Sequence, residues 1–190
     1  MMLGAIAPRP IALASTIDDL GRPNLSPFSF FNAFGANPPI IIFSPSRRGK
    51  DNTTKDTYEN VKLVPEVVIN AVTYSMVQKV SDASADFPRG VNEFEQVGFT
   101  MLPSELVKPF RVAESPVQME CRVLQVIETG VLNAAGNLVI CEILRIHVSP
   151  DILDARGRID PNKIDLAGRL GGEYYVRASG DALFEIAKPG

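Results

Sequence analysis

Two runs of eleven residues constrain this chain more than anything else in it. Val117 to Ile127 alternates, with Val117, Met119, Cys121 and Val123 on one face and Gln118, Glu120 and Arg122 on the other, which is the period of a half-buried strand. Leu138 to Val148 (LVICEILRIHV) is a second strand of the same length, and the intervening ETGVLNAAGN carries the residues of a reversing loop. The two form a long antiparallel hairpin. It sets Cys121 and Cys141 within a residue or two of facing each other, where they act as small buried hydrophobes.

The rest of the chain supplies shorter strands. Ile11 to Ile17 (IALASTI) is closed by the turn Asp18 to Pro23, Leu25 to Gly35 resumes as one extended segment, and Ile40 to Ser44 makes a third strand. Thr53 followed by Asp56 reads as a capping-box-like start, so a short helix begins near Thr53 or Thr54 and stops before Pro65. Glu66 to Thr73 is a strand, Ser75 to Val80 a second short helix, and residues 82–92 a loop. Residues 150–173 are turn-rich, and EYYVRAS adds a last short strand or extended segment. Many strands with few short helices predict one mainly β domain over residues 1–190, an antiparallel barrel or sandwich. A doubly wound parallel sheet would need longer helices between its strands.

Several classes of function find no support. A net charge of −3 without a basic stripe argues against nucleic acid as a partner. No apolar run approaches a membrane span, and MMLGAIAPRP lacks the pattern of a secretory signal, so no membrane association and a cytoplasmic location are expected. One histidine and two cysteines make neither a zinc site nor a disulfide framework. No dinucleotide fingerprint, P-loop or nucleophile elbow is present, and no side chain is nominated as catalytic. Such a protein can take its chemistry from a cofactor.

Two segments suit the two ends of a nucleotide-like ligand. Between Ser44 and Thr57 the sequence gathers Arg47, Arg48, Lys50 and Lys55 with Ser44, Ser46, Thr53, Thr54 and Thr57 around the predicted helix start, a suitable anion cradle. The same residues equally suit a solvated basic loop before an ordinary capped helix. In SPFSFFNAFGANPP, Ser29 and Asn32 stand beside Phe30 and Phe31, offering apolar walls with polar partners for a heteroaromatic ring, or else a core strand whose Asn serves a neighbouring backbone group. His147 shares a strand face with Arg145, opposite Leu144, Ile146 and Val148; it suits either an ordinary structural histidine or a bond to a cofactor carbonyl.

These residues lie within blocks that resemble a known family. APRPIALASTIDDLGRPNLSPFSFFNAFGANPPIIIFSPSRR, KDTYENV, PRGVNEFEQVGFTMLPSELVKPFRVAESPVQMECRVLQVI, LVICEILRIHVSPDILDARGRIDPNKI and GRLGGEYYVR are together similar to the flavin reductase-like proteins of the FMN-binding split-barrel superfamily, the group that includes flavoredoxin. The resemblance covers nearly the whole chain. Members usually carry a longer segment ahead of the block that here begins at Gly4. The resemblance implies a six-stranded antiparallel split β-barrel of Greek-key type with added helices, a homodimer, and FMN rather than FAD near the dimer interface. It implies that Ser29, Phe30, Phe31 and Asn32 line the flavin, that Ser44, Lys55, Asp56 and Thr57 surround its phosphate, and that His147 and Tyr174 approach it. The charge pattern adds Arg47 at the phosphate, and Arg89 is within reach of the site from its own or the other subunit. The expected function is an oxidoreductase that passes hydride from NADH or NADPH through FMN to an acceptor, with a redox protein or monooxygenase as possible partner. A flavoredoxin-like electron carrier without its own NAD(P)H oxidation is the alternative.

Overall fold

The computed structural model describes residues 1–189. Its centre is a seven-stranded antiparallel sheet of β1 (Ala12–Ile17), β2 (Pro23–Phe28), β3 (Phe31–Ala36), β4 (Pro39–Phe43), β5 (Glu66–Ala71), β8 (Val117–Glu128) and β9 (Asn137–Val148). Two small ribbons lie outside it, β6 (Met101–Leu102) with β7 (Arg111–Val112), and β10 (Leu166–Arg169) with β11 (Tyr175–Ala178). Among the described residues five short α-helices decorate the strands: α1 (Met2–Ala5), α2 (Asp56–Leu63), α3 (Val77–Asp82), α4 (Glu93–Val97) and α5 (Pro161–Ile164). The chain is mainly β, with one large antiparallel sheet, as its strand pattern predicts.

The strand order β2-β1-β5-β8-β9-β4-β3 puts β2 and β3 at opposite edges, although only Ser29 and Phe30 separate them in sequence. A flat sheet would hold these edges ~29 Å apart, six strand spacings of ~4.8 Å, whereas three Cα steps reach at most ~11 Å. The sheet must therefore curl until its edges approach. The Ser44 amide donates to the Phe30 carbonyl at 2.9 Å across the join, but no strand ladder closes it among the described residues. This splits the single extended segment expected over Leu25 to Gly35 into two strands. At Gly35 the β3–β4 register shifts, and an added Cβ would lie 3.2 Å from the Pro38 carbonyl oxygen.

Alternation places the core on both faces of the sheet. From β1, Ala12 and Ala14 enter the concave cluster with Phe28, Phe43, Ile69, Cys121 and Cys141. Ile11 and Leu13 enter an outer cluster with Leu25, Val80, Phe94 and Phe99 under α3 and α4. The hairpin forms as expected, with two bulges, and brings Cys121 opposite Ile143 and Cys141 opposite Val123. Both thiols are free and buried, and burial pushes Cys141 up to about 12. The polar face of β8 departs from expectation. Gln118 and Glu120 are buried because residues 103–115 fold over them and supply their hydrogen bonds.

Helix α2 also begins later than its sequence suggests. Thr53 donates through its amide and its hydroxyl to Asp51, forming a local turn, and Lys55 occupies the N-cap without a side-chain cap. β10 falls in the stretch 150–173 that reads as turn-rich, and α4 follows the expected loop 82–92 where the sequence predicts no element. No helix among the described residues is long and apolar enough to cross a membrane.

Candidate flavin site

The loop from Ser44 to Lys55 and the β2–β3 join form the two sides of a cleft of ≈ 340 Å³. Ser29, Phe30, Ser44, Ser46, Arg47, Arg48, Lys50 and Lys55, all singled out from sequence, line it. Topology explains the assembly: the curl of the sheet brings Ser29–Phe30 against the end of β4, and the chain leaves β4 directly into the basic loop. The loop is braced from within. Arg47 Nε and Nη2 donate to Asn52 Oδ1 at 2.8 Å and the Asn52 carbonyl at 2.5 Å, and Asn52 adopts a positive φ of 60° to present them. The Arg48 amide donates to the Thr53 carbonyl at 2.8 Å. At the rim, bonds from the Thr53 side chain and amide hold the Asp51 carboxyl below its ordinary range, with Arg48 and Lys50 adding to the effect.

Cations alone would describe a solvated loop, but the cleft lining also carries a buried hydroxyl. Ser46 Oγ is buried without a hydrogen-bond partner. A buried hydroxyl costs free energy unless it is paired, so an orphan in the wall of a cationic cleft fits a ligand that supplies acceptor oxygens. Four cations and several hydroxyls give the cleft an anion-binding side, and the Phe30 ring gives it an apolar one.

The remaining sequence candidates are spread around this cleft. Phe31 borders a neighbouring apolar pocket of ≈ 330 Å³ with Ile11, Ile69 and Met119. Asn32 is exposed on the edge strand, its Oδ1 accepting from the Ala33 amide at 2.8 Å. Asp56 stands 3.8 Å from Arg48 and 4.0 Å from Arg89. Thr57 is buried behind the cleft, its Oγ1 accepting from Asn24 Nδ2 at 2.9 Å. His147 Nε2 lies 2.6 Å from Glu120 Oε1, away from the cationic lining, and Tyr174 is 76% exposed. It is Tyr175 that faces Ser29, in a smaller adjoining cleft with Arg169, whose guanidinium stacks on its ring at 4.4 Å.

Residues 3–163 match the family model described as the flavin reductase like domain. The chain belongs to the flavin reductase-like family. An uncharacterized protein of Aquifex aeolicus is 38% identical over 186 residues, covering 98% of this chain and 92% of that protein. Among solved structures, nitrilotriacetate monooxygenase component B from Bacillus cereus superposes with a TM-score of 0.89 at 30% identity, over 97% of this chain and 90% of that one. The 2-nitrobenzoate 2-nitroreductase of Pseudomonas fluorescens gives a TM-score of 0.85 at 26% identity, over 100% and 91%. These relatives support a flavin cofactor and oxidoreductase activity for this member of the family.

Sequence reasoning missed Ser84, Asp86 and Tyr175. Ser84 and Asp86 come from the stretch read as a plain loop and meet the cleft only in three dimensions. Ser46 was legible as one hydroxyl of the cradle; its lack of a partner is visible only in three dimensions. Arg9 was legible only as part of a family block, yet it ties the site together, donating to Ser29 Oγ at 3.3 Å and to the carbonyls of Leu3, Ile6 and Leu170.

Proposed function

We propose that the protein is an FMN-dependent reductase that takes hydride from NADH or NADPH and passes electrons to a separate acceptor. The observation that carries this reading is the cationic cleft with the unpartnered Ser46 hydroxyl, beside the aromatic join, in a chain of this family. Arg47, Arg48 and Lys55 would hold the phosphate, Ser44 and Ser46 would serve the polar chain, and Ser29, Phe30 and Phe31 would flank the ring. Bound flavin would supply the hydride chemistry; the chain's own part is to bind, orient and partly shield it.

A split barrel assembled as a homodimer fits the same reading. Along β3 and β9, Phe34 is 64%, Leu144 39% and Ile146 52% exposed, apolar side chains suited to a second copy. In such a dimer Asn32, Tyr174 and Arg89 are available to a flavin near the contact. His147, held by Glu120 away from the cationic lining, has no part in this assignment. The component B relative supports a monooxygenase as the consumer of the reduced flavin.

The test is a titration of the purified protein with FMN and FAD, followed by NADH and NADPH oxidation with free flavin as acceptor. Saturable FMN binding with turnover by either nucleotide is expected. Binding without turnover would turn the reading to an electron carrier, and no binding of either flavin would remove it.

A further inference from the structure

The anion cradle of this chain already holds an anion of its own. Asp86, on the loop between α3 and α4, lines the cleft; its Oδ1 lies 3.6 Å from Arg48 Nε and 3.7 Å from Lys55 Nζ. Arg48 also donates to Thr53 Oγ1 at 3.3 Å and to the Thr54 carbonyl, and it faces Asp56 at 3.8 Å. Lys55 has no such set. Among the described residues Asp86 is its one side-chain partner within ion-pair distance. The carboxylate is 64% exposed and stands on a segment without regular secondary structure, so little fixes it there beyond these two cations.

We propose that Asp86 is an internal competitor for the flavin phosphate, a specificity-determining residue that holds down the affinity for phosphorylated flavin. The inference rests on the assignment of the cleft to FMN. A phosphate reaching Arg48 and Lys55 must displace the carboxylate or share both cations with it, and the two anions repel at close range. The repulsion acts only on a ligand that carries the phosphate. Riboflavin, with the same ring and chain, does not feel it. The consequence for function is exchange: with Asp86 present FMN leaves more readily, which suits a reductase that hands reduced flavin to another protein rather than retaining it.

The experiment measures dissociation constants of FMN and riboflavin at low ionic strength for the wild type, Asp86→Asn and Asp86→Glu. Asp86→Asn should tighten FMN by about fivefold to tenfold, the scale of one like-charge contact near ~4 Å in a high-dielectric setting, and leave riboflavin unchanged. Asp86→Glu keeps the charge and should bind FMN within about twofold of wild type on that argument. Unchanged or weaker FMN binding in Asp86→Asn, or equal tightening of both flavins, would overturn the competitor role while leaving the FMN site standing. Failure of FMN to bind any of the three proteins would instead remove the site and the inference with it.

Discussion

Two polar regions of this molecule look alike in sequence and opposite in structure. Around Glu120 both carboxylate oxygens find partners. The carboxylate is fully buried and accepts from the amides of Glu105 at 2.9 Å, Leu106 at 2.6 Å and Val107 at 3.2 Å, with His147 Nε2 at 2.6 Å. A carboxylate acceptor makes that imidazole nitrogen the donor. In the cleft between Ser44 and Lys55 the opposite holds: cations are paired only loosely with exposed carboxylates, and the Ser46 hydroxyl has no partner. The contrast teaches that residue type is a poor guide to a binding site. The single histidine of the chain is bonded to the carboxylate that pins a loop to the sheet, whereas an ordinary serine in the cleft wall is left without a hydrogen-bond partner.

The sharpest way to break the comparison is to remove the satisfied carboxylate. Glu120→Ala leaves three backbone amides and His147 without their acceptor and should cost about 3 kcal/mol in urea-induced unfolding. Its folded fraction should bind FMN as the wild type does. Unchanged stability, or a selective loss of FMN binding, would erase the division between structural and ligand-binding regions. Next in size is Lys55→Ala, which removes a loosely held cation: FMN binding should weaken about tenfold by calorimetric titration, with thermal stability kept.

Smaller effects sharpen the picture. Ser46→Ala deletes an atom that has no partner, so stability should stay within about 0.5 kcal/mol while FMN affinity falls about threefold to fivefold. A stability loss without an affinity change would mean that the hydroxyl is satisfied by something other than ligand. The smallest effect concerns Glu93, at the start of α4. Its side chain accepts from the Leu25 amide at 3.0 Å, yet burial pushes the carboxyl above its ordinary range against the pull of that bond. A raised folded value means that the wild type loses stability as pH rises through it. Glu93→Gln should therefore gain on the wild type between acid and neutral pH, read from unfolding curves at both.

Much of the scaffold was legible because it rests on local periodicity. The Val117–Glu128 and Asn137–Val148 hairpin has few alternatives once the alternation is read, and Pro65 ends α2 as expected. The break at Ser29–Phe30 was not legible. Nothing local separates Leu25 to Phe28 from Phe31 to Ala36, and the division follows from each strand finding a different neighbour, β1 for one and β4 for the other. The same limit applied to the site. Arg47 and Lys55 announce themselves by charge, whereas Asp86 and Tyr175 reach the cleft region only through the packing of α3 and the β10–β11 ribbon. Thr57 shows the converse: a hydroxyl two residues from Lys55 points to Asn24 in the interior because α2 starts at Asp56 and turns it inward.

The central claim is that the cationic cleft recognises the phosphate of a flavin. Calorimetric titration of the wild type with FMN and with riboflavin, each at low and high salt, tests it most directly. The account predicts that FMN binds about tenfold tighter than riboflavin at low salt and that salt narrows the gap, because the difference between the ligands is an ion contact on a partly exposed surface. Equal affinity for the two ligands at low salt, with no salt dependence for FMN, would contradict it.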